Sequence, residues 1–379
     1  MKHIKVLTLL ILLLQGCDPF VNEFGNINNT VMYQASEIPD SSDIYNGDPI
    51  KVLTWNIRFG SGRFPFFGDS CGEEVLVEQN TVNTIMQKIA DTLNMINADI
   101  VLLQEVDVSS KRTNYLDQVQ YLLDNTYYNY ACYASVWEAD FVPNNGIGKM
   151  NMGNAILSKY ELADAERIQL QLRTDQEDLV QYFYLRRNIL KVKLPSLSHN
   201  GRDFFALNIH ATAFATDNTK KKQIEQYLDL LSEIVGNDGD FVSGGDLNSV
   251  PPGSITDFCE SDKCKDEVCD GDFKNNEAYQ GTYFEHFDGE PDILRPFYDL
   301  YSSAISITDG SALLPENHTH APSTSMLNDS TYTKYDRKLD YLFTNGLWQQ
   351  GSGQTHQASW ELSDHMPVSG IYIPTSGGE

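Results

Sequence analysis

The feature that most constrains this chain is what ends its apolar runs. Ile50-Lys-Val-Leu-Thr-Trp stops at Asn56, Asp99-Ile-Val-Leu-Leu-Gln at Glu105, and Phe204-Phe-Ala-Leu-Asn-Ile at His210. Phe241-Val-Ser-Gly-Gly stops at Asp246-Leu-Asn248. Lys338-Leu opens onto Asp340 before Tyr-Leu-Phe, and Ser363-Asp364-His365 directly precedes the last run, Met366 to Ile373. Short apolar runs of this kind read as strands. Strand ends are where loops gather side chains from distant parts of a chain into one cleft. The residues at these six ends are carboxylates, amides and imidazoles, with no lysine among them. That set suits a hard cation and acid–base chemistry.

Between the runs the period changes. Val82, Ile85, Met86, Ile89, Leu93 and Ile96 fall at helical spacing, as do Ile224, Tyr227, Leu228, Leu231, Ile234 and Val235. Residues 110–124 predict a further helix, and Asn188 to Leu194 a strand. Interleaved strands and helices predict a mixed α/β domain over residues 49–375. Residues 255–335 are polar, aromatic-spotted and poorly periodic, and are predicted as loops inserted between the strands at 241 and 339. No repeat and no second-domain boundary is visible. A chain of 379 residues with 41% hydrophobic and 21% charged residues is globular in composition and buries a core without help from metals or disulfides.

Seven segments carry a family resemblance. They are Thr54-Trp-Asn56-Ile-Arg, Leu103-Gln-Glu105-Val, Gly153-Asn-Ala-Ile-Leu-Ser158, Asn208-Ile-His210, Gly245-Asp246-Leu-Asn248-Ser, Lys338-Leu-Asp340-Tyr-Leu-Phe and Ser363-Asp364-His365-Met-Pro. In this order they resemble the endonuclease/exonuclease/phosphatase superfamily, over residues 50 to 373. Each motif alone is weak; the ordered set is specific. The resemblance implies a four-layer α/β sandwich, two packed mixed β-sheets flanked by helices. It also implies a hydrolase of phosphate esters that depends on Mg²⁺ or Mn²⁺.

The same resemblance assigns roles. Glu105 is the metal-binding glutamate, Asn56 lies beside that metal, and Asp364 is near or on it. His365 is the general base or the phosphate-stabilising imidazole, and Asp340 fixes its tautomer and orientation, as a triad carboxylate does. Asp246 aligns the attacking water or protonates the leaving oxygen. Asn248 holds a phosphate oxygen, and His210 donates to a phosphate oxygen or the leaving group. His210 matches deoxyribonuclease-like and sphingomyelinase-like members, whereas abasic-site repair nucleases tend to carry tyrosine there. Arg187 is a candidate phosphate clamp, with Arg186 competing for the role, and Asn154 is a candidate on the substrate side. Neither the proton acceptor, His365 or Asp246, nor the number of metal ions follows from the sequence. His318 and His320 sit in the long loop, where metal binding is the alternative, and are read as loop residues. Every catalytic position is filled by a competent residue, which argues against an inactive binding module.

The first residues set the expected location. Met-Lys-His-Ile-Lys precedes an apolar run from Val6 to Leu14, which reads as a secretory signal over 1–16. Leu14-Gln-Gly-Cys17 resembles a bacterial lipoprotein box, so Cys17 is the expected lipidation site. Residues 17–48, rich in Asn, Asp and Ser, are the expected flexible tether. The protein is then exported and held by lipid at a bacterial membrane, periplasmic or surface. Export permits disulfides. Cys259, Cys264 and Cys269 predict a local bridge, with one thiol left over or paired to Cys71 or Cys132. The net charge of −26 excludes affinity resting on a broad basic surface. It does not exclude a nucleic-acid enzyme with a small positive site. The substrate is a phosphodiester, of nucleic acid or of a phospholipid headgroup, with inositol phosphate also open. The aromatics at 283–301 are a candidate for contact with lipid. No protein partner is inferable.

Overall fold

Two β-sheets lie face to face in the computed structural model, which describes residues 25–38, 45–69, 71–254, 290–327 and 334–374. The strands are β1 (Ile27–Asn28), β2 (Val31–Gln34), β3 (Ile50–Asn56), β4 (Ile100–Asp107), β5 (Tyr130–Val142), β6 (Gly148–Ser158), β7 (Ala163–Gln169) and β8 (Asn188–Lys193). They continue with β9 (Phe204–His210), β10 (Asp240–Asp246), β11 (Ser302–Ser303), β12 (Asp340–Thr344), β13 (Leu347–Trp348), β14 (Gln354–Thr355) and β15 (Val368–Ile373). One sheet has the order β1-β7-β8-β9-β10-β12-β11; the other runs β13-β15-β3-β4-β6-β5-β2, with β14 also on β15.

Strand alternation explains the layers. In β3, Ile50 and Val52 face the space between the sheets, while Leu53 and Trp55 face outward. In β4, Ile100 and Leu102 face in, and Val101 and Leu103 face out. Both faces are covered, so these strands read as continuous apolar runs. The inner layer meets Leu190, Val192, Ala206, Val242 and Leu342 of the other sheet. The helix Gln79–Ile96 covers one outer face with Val82, Met86, Ile89 and Leu93. It stops at Asn97, whose left-handed backbone (φ 56°) returns an N–H to the Leu93 carbonyl. The helix Thr219–Gly236 covers the other outer face with Ile224, Tyr227 and Leu231. The expected α/β sandwich with mixed sheets is therefore the observed one.

Several expectations need correction. Residues 25–37 are not part of a free tether, because β1 pairs with β7 and β2 with β5, adding an edge strand to each sheet. Arg167 donates to the Gly25 carbonyl, and Thr30 to the Tyr133 carbonyl, which ties this stretch down. The described part of the insertion is not only loop. It contains the helix Arg295–Leu300, whose Phe297 is fully buried, and β11. Among the aromatics proposed for lipid contact, Phe297 and Tyr298 pack instead on Tyr341 and Phe343. Residues 110–124 divide into a 3-10 turn (Lys111–Thr113) and a shorter helix, Gln118–Asn125, capped by the Asp117 carboxylate. Cys71 is disulfide-bonded, whereas Cys132 is a buried free thiol and takes no part in pairing. The signal, Cys17, most of the tether's remainder and Cys259, Cys264 and Cys269 lie outside the described residues. Among the described residues no helix is long and apolar enough to cross a membrane.

Candidate active site

One end of the sandwich collects the strand-end residues around a cavity of about 630 Å³. Parallel pairing of β3 with β4 sets Asn56 opposite Gln104, beside Glu105. Parallel pairing of β9 with β10 sets His210 opposite Asp246, and antiparallel pairing of β10 with β12 sets Asp246 opposite Asp340. Register alone thus places three of the residues side by side. Glu105 needs more. The ladder between β4 and β6 shifts between Leu103 and Val106, and Glu105 has a positive φ of 55°. Bulges of this kind re-aim a side chain at an active site.

The Asn56 amide joins the two sheets. Its Nδ2 donates to Glu105 Oε1 at 3.1 Å and to Asp246 Oδ2 at 3.2 Å, while its Oδ1 accepts from the Arg58 N–H at 3.0 Å. The amide thus orients two carboxylates, while its oxygen accepts one hydrogen bond and keeps a second lone pair. His365 Nδ1 donates to Asp340 Oδ2 at 2.8 Å, and its Nε2 lies 3.7 Å from Asp246 Oδ2. His210 Nε2 lies 3.3 Å from the same Asp246 oxygen. Ser363 Oγ donates to the Asn56 carbonyl and accepts from the His365 N–H, and Trp55 donates to the His365 carbonyl. The Ser-Asp-His segment is thereby stitched to β3.

Burial alone would lower the His365 pKa, but the charges of Asp340, Asp246 and Asp364 outweigh it and hold the imidazole well above its ordinary value. Burial, then Arg187 and His365, push His210 well below it, so that ring is neutral at pH 7. Burial pushes Glu105 up and the Asp364 charge adds to this, against the Asn56 hydrogen bond. Asp364 also feels burial, yet Arg58, followed by His365, brings it down to about 2. Glu105 and Asp364 are two half-buried carboxylates whose charges oppose each other at an open cavity wall. A divalent ion that keeps several waters fits that donor set. Asp246, Asp340 and His365 also bring one ligand-type atom each within 4.8 Å of one another. There His365 Nδ1 and Asp340 Oδ2 are already bonded together, which makes that group a proton-handling unit.

The other expected residues divide. Arg187 lines the cavity, donates to the His210 carbonyl at 3.3 Å and has a buried Nε with no hydrogen-bond partner. Arg186 does not line it. Asn248 lines it in a left-handed conformation (φ 48°), its amide donating to the Ala211 carbonyl. Asn154 is not a cleft residue. It is fully buried on β6, and its amide donates to Asn188 on β8, so it joins the sheets from within.

Sequence reasoning gave no role to three groups. Arg58 ends the Thr54–Arg58 motif and sits between Asp69 and Asp364. Gln104 and Asn208 form an amide link between the sheets below the cleft, with Asn208 donating to the Leu103 and Ala155 carbonyls. His320, read as a loop residue, lines the cavity. Arg58 and Asn208 stand inside quoted motifs, a signal that could have found them; nothing local marks His320.

Gly245 shows how tightly the floor is built. Its φ is 139°, and an added Cβ would lie 1.9 Å from the Ile209 carbonyl oxygen. Replacing Gly245 by alanine is expected to cost about 3 kcal/mol or more, read by denaturant unfolding. A loss below about 1 kcal/mol would show that β9 and β10 can separate.

Comparison with known proteins agrees with this geometry. The model of the endonuclease/exonuclease/phosphatase family matches residues 53–365. The chain belongs to that family. Family members are hydrolases of phosphoester bonds and are generally dependent on a divalent metal. Among solved structures, an endonuclease/exonuclease/phosphatase from Beutenbergia cavernae DSM 12333 is similar at 16% identity and TM-score 0.51, covering 85% of this chain and 71% of that one. A family protein from Leptotrichia buccalis C-1013-b has 16% identity, TM-score 0.49, and coverage of 85% and 99%. The human Nocturnin catalytic domain, solved with a bound sulfate anion, has 17% identity, TM-score 0.44, and coverage of 85% and 93%. No curated protein matches the sequence.

Proposed function

We propose that this family hydrolase is a Mg²⁺- or Mn²⁺-dependent phosphodiesterase of the nuclease type, acting outside the cytoplasm and tethered by lipid at Cys17. The observation that carries the catalytic part is the convergence of His210 and His365 on the Asp246 carboxylate, with Asp340 behind His365. Glu105 and Asp364 would hold the ion, which when bound neutralises charge on the phosphoryl oxygens. Asp340 fixes the His365 ring so that Nε2 is the atom handling the proton. Asp246, held by Asn56, positions water, while Arg187 and Asn248 bind phosphate oxygens.

The nucleic-acid preference is supported by the cavity walls. Among the described residues Arg187 lines the cavity without a carboxylate partner, whereas Arg58, Arg112 and Arg337 on its walls are paired with Asp69 and Asp364, with Asp107 and with Asp336. Phe66, Trp137 and Phe214 are also on its walls, and Phe214 is 59% exposed. Flat aromatic faces beside cations suit stacked bases.

The test is plasmid nicking by protein expressed from Asp18 onward, which retains β1 and β2, in millimolar Mg²⁺. Nicking is expected to stop in EDTA and return with Mg²⁺ or Mn²⁺. Nicking that persists in EDTA would refute the metal-dependent reading. No nicking by folded, metal-loaded protein would refute the nuclease assignment and redirect assays to phospholipids and inositol phosphates.

A further inference from the structure

The long connection before β12 returns to the cleft at His320. Ala321 N–H donates to the Asp364 carbonyl at 2.7 Å, and Met366 N–H donates to the Thr319 carbonyl at 2.7 Å. Residues 319–321 thus run antiparallel beside the Ser-Asp-His segment, with His320 bridged to His365. The two imidazoles meet edge to face, 5.5 Å between centroids. His320 Nδ1 lies 2.8 Å from Asp336 Oδ1, and the Asp336 side chain is only 5% exposed. A carboxylate accepts, so Nδ1 carries hydrogen and Nε2 is left as the ring atom available to the cavity that His320 lines. Here the His365–Asp340 arrangement is repeated by a second histidine, His320, with Asp336 on the approach to β12.

The two pairs face different groups. His365 and His210 direct Nε2 toward Asp246, whereas His320 acts electrostatically on Asp364, on the side where a cation would sit. A hard cation held by carboxylates takes oxygen ligands. The imidazole beside it is then available to the anion that the cation attracts.

We propose that His320, oriented by Asp336 and carrying hydrogen on both ring nitrogens when the anion is bound, is a phosphate-binding residue that donates from Nε2 to a nonbridging oxygen of the substrate. This rests on the phosphodiesterase reading and adds a third imidazole to the site. Asp336 is a positioning residue, since it acts through the ring.

The test uses Mg²⁺-loaded protein and inorganic phosphate, read by the imidazole ¹⁵N resonances. The His320 Nε2 signal should move saturably with phosphate. Phosphate affinity should fall about tenfold in His320→Gln, as expected for one hydrogen bond to a charged group. Asp336→Asn should redistribute the His320 tautomers and weaken phosphate binding while leaving the His365 signals in place. For bis(p-nitrophenyl) phosphate, KM should rise about tenfold in His320→Gln with kcat nearly unchanged. A His320 signal that ignores phosphate, or parental phosphate affinity in His320→Gln, overturns the proposal. A signal that moves with Mg²⁺ alone and no further with phosphate overturns it in favour of a metal ligand. A phosphate-responsive His320 in a protein that hydrolyses no phosphodiester upholds the contact and refutes the phosphodiesterase reading.

Discussion

Replacing His365 by alanine is expected to reduce phosphodiester hydrolysis by roughly 10³-fold, within the usual range for a general acid–base residue. The residue is 6% exposed, bonded to Asp340 and 3.7 Å from Asp246, so the imidazole is held in one place for proton handling. Asp340→Asn should cost activity too, because an amide can stabilise the wrong tautomer and no longer supports the imidazolium. Protein stability should follow pH in a defined direction. The His365 pKa is raised in the folded state, despite burial, by Asp340, Asp246 and Asp364. Its stabilising contribution is complete below the ordinary histidine value of about 6.5 and is lost as pH rises through the raised one. The gap in unfolding free energy between the parent and His365→Ala should therefore narrow at alkaline pH. Activity within tenfold of the parent would remove His365 from the chemistry.

The largest expected stability effect lies below the cavity. Asp107 is fully buried and accepts from Arg112 Nε and Nη2, each at 2.9 Å, and from Thr113 Oγ1. Arg112 is 2% exposed, and its guanidinium lies 3.6 Å from the centre of the Phe59 ring. Arg112→Met would leave the carboxylate buried with only the threonine hydroxyl. Breaking a buried pair from one side costs roughly 3–5 kcal/mol, and the lost cation–π contact adds to it. For a domain of this size the melting temperature should fall by about 10 °C. Changing both partners, Arg112→Met with Asp107→Leu, should recover much of the loss, since no charge is then stranded. Calorimetry of the two variants decides the matter. A single variant within about 1 kcal/mol of the parent would mean that water reaches Asp107.

The apolar runs made the sheets legible because strands covered on both faces leave an unbroken hydrophobic record. The runs at 50, 99, 204 and 241 became β3, β4, β9 and β10 with small shifts at their ends. The edge strands β1 and β2 were not legible. They are short and largely exposed, with no buried face to set a pattern, and they exist because β7 and β5 present unpaired backbone groups. Asn154 was misplaced for a related reason: a motif records that an amide is needed, without recording on which side of the sheet.

Local sequence determined which residues stand at the strand ends, and hence the acid–base and cation-binding character of the site. Only the tertiary structure decided how they combine. It turned the Asn56 amide toward two carboxylates, placed Arg58 between Asp69 and Asp364, and set His320 against His365 across 45 residues of chain. The physical reason is that a strand end is specified by its own apolar run, whereas its neighbours are specified by sheet order and register. Those depend on pairing between segments far apart in the chain, and no local pattern encodes them.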